Sequence, residues 1–160
     1  GQEYLELVSS VKDTLEQFER FYPGYKGQGY ELAGLVWFQG IKDCQSDSMT
    51  DAYEKNLVNL ITDLRKEFKA PKLDVVIAAV GYRGDKMSGN ILKVYKAQMA
   101  VGNPQKYSEF AGNVKSVDTR KFWPKNDSLK GREWDYKNDA GTFLQIGEAL
   151  GEAMLEIMKK

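Results

Sequence analysis

The chain has 160 residues, 42% of them hydrophobic and 12% aromatic, which is enough for one domain with its own core. Lys plus Arg and Asp plus Glu both number 23, so the formal net charge is zero and nothing marks the clustered basic surface of a nucleic-acid binder. There is one cysteine and no histidine, which excludes an internal disulfide, a multi-cysteine metal site, His-bound zinc and imidazole acid-base chemistry from the chain's own residues. No metal or cofactor is expected.

Tyr4, Leu5, Val8, Val11, Leu15 and Phe18 recur at helical spacing, and the spacing predicts a helix over residues 3–20. FYPGYKGQGYE, residues 21–31, carries one proline and three glycines and reads as a loop. Residues 33–38 form a short unbroken apolar run, the pattern of a strand covered on both faces. A polar loop over 40–50 leads to a helix marked by Tyr53, Leu57, Leu60, Ile61, Leu64 and Phe68, with Thr50 as the expected N-cap. Leu73 to Val80, LDVVIAAV, is a second buried strand. YRGDKMSG, residues 82–89, is a loop; it lacks the G-K-[ST] of a phosphate loop. Ile91, Val94, Tyr95, Gln98 and Met99 mark the next helix, and residues 113–119 a third strand. A long aromatic loop spans 120–138. The last helix runs over 142–158, with Phe143, Ile146, Leu150, Met154 and Ile157 on one face. Leu57, Leu60, Leu64, Phe143, Ile146 and Leu150 are expected core residues. Helices alternating with strands predict a parallel sheet with crossover helices. No repeat, linker or apolar run of membrane-spanning length interrupts the chain, and residues 1–160 form a single domain on this reading.

Three blocks carry a resemblance. They are YELAGLVWFQG (residues 30–40) followed by Asp43, YEKNLVNLITDLRKEF (53–68), and DYKNDAGTFLQIGEALGEAM (135–154). In this order they resemble the sialate O-acetylesterase-like carbohydrate acetylesterases, of the SGNH hydrolase superfamily. That family has W-[FY]-Q-G-E-x-D at the strand end and H-Y-x-x-N-A-E-T-Y-x-x-I-G-x-A-L-G near its C-terminus. The resemblance implies a three-layer α/β/α sandwich on a parallel sheet, the flavodoxin-like SGNH fold, of which this chain is the C-terminal portion. It also implies an acetylated carbohydrate, or another sugar, as ligand. In the family a serine after the first strand attacks the ester, a histidine takes its proton, and amides hold the oxyanion.

Three departures follow from the same residues. No serine motif after a strand occurs in the chain; the resemblance places the first strand before its start, so the sheet is expected to lack part of its cover and to self-associate or take a partner segment. Ile41 stands where the family has Glu. The family's histidine falls at Trp134 or Asp135. An ordinary aspartate, with a pKa of about 4, is a poor acceptor for a serine proton. The chain alone is therefore expected to be inactive by the Ser-His route, and the alternative is a non-catalytic sugar-binding or interaction domain.

Gln39, Gly40 and Asp43 are the oxyanion or substrate-contact candidates, against a plain strand-ending turn. Trp134 and Tyr136 are candidate stacking faces for a sugar, and Asp135 a hydrogen-bond acceptor where the family places its base; with Phe122 and Trp123 these aromatics read equally as a plug for the loop. Ser46, Ser48 and Cys44 as replacement nucleophiles fail for want of a base. Compartment is left open, bacterial export included.

Overall fold

The computed structural model describes residues 1–125 and 133–159, with the side chains of residues 133–135 outside that description. Helices α1 (Gln2–Glu16) and α2 (Phe18–Phe21) lead to strand β1 (Gly34–Trp37), then α3 (Asp47–Glu67), β2 (Asp74–Ala79), α4 (Gly89–Val101), β3 (Val114–Asp118) and α5 (Ala140–Met158). Short 3-10 turns at Asp43–Gln45, Gly84–Lys86, Ser108–Phe110, Arg120–Phe122 and Glu133–Asn138 fill the connections. The strands pair in the order β1-β2-β3, both pairs parallel, with Trp37 beside Ile77 and Ala79 beside Asp118.

Side chains alternate across a strand, so the two sheet faces can be assigned from their contacts. On one face Trp37 Nε1 donates to Tyr53 of α3, Ser116 Oγ donates to the Gln98 carbonyl of α4, and the Tyr95 hydroxyl donates to Asp118. On the other, Gly34 abuts Met154 of α5 and Lys115 pairs with Glu156. The result is an α/β/α sandwich, as expected. Val75 to Ala79 of β2 are wholly buried, which is why this strand reads as continuously apolar. At the opposite end of the sheet from the strand C-termini, Arg65 donates to the Leu73 carbonyl and to Asn113 Oδ1, both at 2.7 Å, and ties α3 to the starts of β2 and β3.

The structure corrects several expectations. The first helix breaks at Gln17, whose backbone leaves the helical region. Leu5 is exposed and Leu7 takes its place, because Tyr4, Leu7, Val8, Val11 and Leu15 keep the three-and-four spacing of one face. β1 is not covered on both faces: Val36 is 49% exposed and Phe38 is also exposed. It lies at the sheet edge, where α5 packs chiefly over β2 and β3 and meets β1 at Gly34 through Met154. Phe143, expected in the core, is half-exposed for the same reason, with its ring 6.4 Å from Phe38. α3 starts three residues before Thr50, so Thr50 is not its N-cap. Thr50 instead donates from the first turn to the Asp43 carbonyl at 2.8 Å. In α5 Asp139 is the cap, accepting from the Thr142 amide at 3.0 Å.

Candidate functional site

The stretch after β1 is held by a buried amide that sequence reasoning assigned only to a helix face. Gln98 of α4 is fully buried. Its Oε1 accepts from the Val80 amide at 2.8 Å, and its Nε2 donates to the Gln39 carbonyl at 2.7 Å and the Tyr53 hydroxyl at 2.9 Å. The Tyr53 hydroxyl has one hydrogen, which it gives to the Gln39 carbonyl (3.1 Å) or to Gln39 Oε1 (3.2 Å). A glutamine within an apolar helical stripe was the visible signal, since a buried amide must find partners.

Gln39, Gly40 and Asp43 do come together. Gln39 Nε2 donates to Asp43 Oδ2 at 2.6 Å, a short charge-assisted bond that fixes the amide. Gly40 has φ +150°, and a Cβ there would sit 3.0–3.1 Å from Val80, Gln98 and Val94, so conformation and space both call for glycine. Cys44 Sγ donates to the Gly40 carbonyl at 3.2 Å. Burial foremost, with the Asp43 charge adding to it, pushes the Cys44 thiol up to about 11, so it is not a thiolate near neutrality. Burial pushes the Tyr53 hydroxyl up to about 12, which keeps it a donor. The Ser46 and Ser48 hydroxyls bond each other at 2.9 Å.

These residues open onto a groove of about 810 Å³ between α1, the end of β1 and α3. Gln39, Gly40 and Asp43 line one end of it, with Trp37, Phe38 and Tyr82 beside them. Its far part carries Tyr4 and Leu7 of α1 and Asn56, Asn59 and Asp63 of α3, none of which the sequence reading singled out as site residues. Sequence offers no signal for them, because their meeting depends on how α1 docks.

Tyr136 does lie at the same end of the sheet, but not as a surface platform. It is 1% exposed, its ring lies 5.0 Å from Tyr82 and 5.9 Å from Trp123, and its hydroxyl accepts from the Gly81 amide at 3.0 Å. The hydroxyl also donates to Thr119, whose own hydrogen goes to the Ala79 carbonyl. The ring plugs the base of the loop while its polar tip satisfies backbone at the end of β2, which is the structural reading of these aromatics. Trp134 and Asp135 belong to the same turn, but their side chains lie outside the described residues.

The family model for carbohydrate esterases described as sialic acid-specific acetylesterase matches residues 1–156. The chain belongs to this carbohydrate esterase family. It is similar to a probable carbohydrate esterase of Arabidopsis thaliana, 29% identical over 101 residues, which are 63% of this chain and 34% of that protein. An X-ray structure of an Arabidopsis thaliana protein shares the fold, with a TM-score of 0.61 at 24% identity over 91% of this chain and 51% of the other. The chain therefore spans about half of that solved relative, and about a third of the curated one is matched. Ile41, where the resemblance has Glu, is partly buried against the core.

Proposed function

We propose that residues 1–160 form one SGNH-type carbohydrate esterase domain whose strand-end groove binds a sugar and which does not itself hydrolyse esters. The observation that carries this is the Gln39-Gly40-Asp43 cluster, tied at 2.6 Å and opening on the groove, in a chain that contains no histidine. Gln39 has a second amide hydrogen beyond the one given to Asp43, and Asp43 is an acceptor; both suit sugar hydroxyls or a carbonyl. Without imidazole, a hydroxyl nucleophile has no base of suitable pKa in these residues.

Aryl acetates and acetylated sugars are expected to turn over at the buffer rate in the presence of the purified chain. Turnover abolished stoichiometrically by a serine-directed phosphonate would overturn this. Sugar binding is expected to be weak, with a Kd of ~1 mM or above, because each hydrogen bond contributes only about 0.5–1.5 kcal/mol net. Amide NMR shifts should place the sugar at Gln39 to Asp43, and Gln39→Ala should remove them. A longer product that supplies a G-x-S strand and a histidine would restore the relay, and assaying it separates a domain that catalyses only within a larger protein from a purely binding one.

The alternative, an interaction domain, is favoured by one observation. Among the described residues β1 pairs only with β2, and Val36, Phe38, Phe143 and Leu144 are exposed near that free edge or on α5. Such an edge accepts another strand. Self-association, or capture of a partner segment, is expected in concentrated solution; a monomer at high concentration by light scattering counts against it.

A further inference from the structure

We propose that a second cavity, between the C-terminal half of α1 and the end of α3, binds one ring of a neutral sugar chain stacked on Tyr30. The site goes beyond the strand-end groove and is separate from it, since the two share no lining residue. The cavity measures about 280 Å³, at the lower edge of the ~300–1,000 Å³ typical of small-molecule sites, which suits a single ring. Leu15, Tyr30 and Phe68 give it an apolar surface. Its charged groups are Lys12 and Glu16 of α1, Glu67 of α3 and Lys69 just beyond it. Two cations and two anions balance, so the lining favours a neutral ligand. Lys12 bonds Glu67 across the two helices. Glu16 and Lys69 are exposed and form no side-chain hydrogen bond or ion pair among the described residues. Both therefore have bonding capacity to spare: a carboxylate accepts from neighbouring hydroxyls, and an ammonium donates to them. An apolar face beside such groups matches a sugar ring, whose C–H face meets an aromatic ring while its hydroxyls point outward.

The tyrosine face is presented by a built loop. Residues 18–30, FERFYPGYKGQGY, hold five aromatic rings and no Leu, Ile, Val, Met or Ala. Phe18 is the centre of the cluster, with Tyr22 stacked at 4.5 Å, Tyr25 edge-on at 5.0 Å and Tyr30 tilted at 6.5 Å. The loop closes on itself. The Tyr25 amide donates to the Tyr22 carbonyl at 2.8 Å, the Lys26 amide to Gln28 Oε1 at 2.6 Å, and the Gly29 amide to the Tyr25 hydroxyl at 3.1 Å. Gly27 and Gly29 take the positive φ values that this path requires, +77° and +85°. Tyr25 is thus occupied in holding the loop, whereas Tyr30 and Tyr22 remain 58% and 54% exposed. Rings held in place before binding lose little conformational freedom when a ligand stacks on them. Tyr22 continues the aromatic surface beyond the cavity, so a chain meets more of it than a single sugar does.

The test is an NMR titration of the isotope-labelled chain with cellotetraose, following the amides of residues 15–30 and 67–69. Saturable shifts there are expected, with a Kd of ~1 mM. Tyr30→Ala, a change at an exposed position, should raise that Kd about tenfold, while Tyr30→Phe, which keeps the ring face, should change it by no more than about twofold. Glu16→Gln should weaken binding several-fold. Salt at roughly 1 M should leave the Kd within about twofold, because the ligand carries no charge to screen. Unchanged binding by Tyr30→Ala, or no shift at these residues up to ~10 mM sugar, would overturn the proposal. Shifts confined to residues 39–43 would overturn it as well and leave the groove reading standing, whereas shifts confined to residues 15–30 and 67–69 would support this site and count against the groove. Shifts that grow with protein concentration in the absence of sugar would make the patch a contact between copies of the chain, and the proposal would fall.

Discussion

Gln98→Leu is expected to destabilise the chain by about 2–4 kcal/mol and to loosen the strand end that carries Gln39. Leucine nearly fills the same volume, so the loss is one of hydrogen bonds and not of packing. The Val80 amide loses its acceptor at 2.8 Å, and Tyr53 and the Gln39 carbonyl each lose a donor. The Gln39 carbonyl keeps the Tyr53 hydroxyl at 3.1 Å, so the uncompensated cost falls mainly on the Val80 N–H. A buried group left without a partner costs about 1–3 kcal/mol, and the weakened neighbours add to it. Against a total stability of roughly 5–15 kcal/mol this is a large share. Urea unfolding measures it as a lower midpoint at unchanged slope. A loss below about 1 kcal/mol would mean that the amide is not the strut described here. In the same variant, sugar-induced shifts at residues 39–43 should weaken even where the chain remains folded.

Gly81→Ala is expected to cost about 3 kcal/mol or more, by overpacking. A Cβ at Gly81 would lie 2.5 Å from Thr119 Oγ1 and 2.6 Å from the Thr119 carbonyl carbon and oxygen. Backbone cannot move aside as a flexible side chain would, so the ends of β2 and β3 must separate. That separation also strains the bond from the Gly81 amide to Tyr136 and the one from Thr119 to the Ala79 carbonyl. For a chain of this size the expected fall in Tm is roughly 6–12 °C. Gly147→Ala is the matched control: Gly147 lies inside α5 with nothing within 4 Å of a new Cβ, and alanine there should stabilise the helix by up to about 1 kcal/mol. Equal effects at the two glycines would sink the steric account of Gly81.

Much of the element order was legible because each signal is local. The stripe over Leu57, Ile61 and Leu64 specifies a helix wherever that helix docks, and all three are buried. The run from Val75 to Ala79 specifies a strand, and here it is the central one. The run from Leu35 to Phe38 looks the same yet forms an edge strand with Val36 and Phe38 exposed. Position within a sheet is set by pairing across the chain, and a window of six residues does not contain it. Tyr136 shows the same limit: an aromatic in a polar loop can stack on a ligand or seal a core, and the choice lies with Gly81 and Thr119, 55 and 17 residues away.

By itself the sequence determined the chemistry that the chain cannot perform. A residue type that is missing is missing in every conformation, and zero histidines rule out a Ser-His relay built from these residues. It also determined the family, because three blocks in order survive without any knowledge of contacts. The tertiary structure alone decided what Gln39 and Gly40 do. Gln39 meets Gln98, 59 residues on, and Gly40 packs against Val80 and Val94. The groove's lining was decided in the same way. Glu3, Lys42 and Asp63 are far apart in a balanced sequence, and only the docking of α1 beside α3 gathers them around one cavity. Net charge is a sum over residues, whereas potential depends on the distances between them.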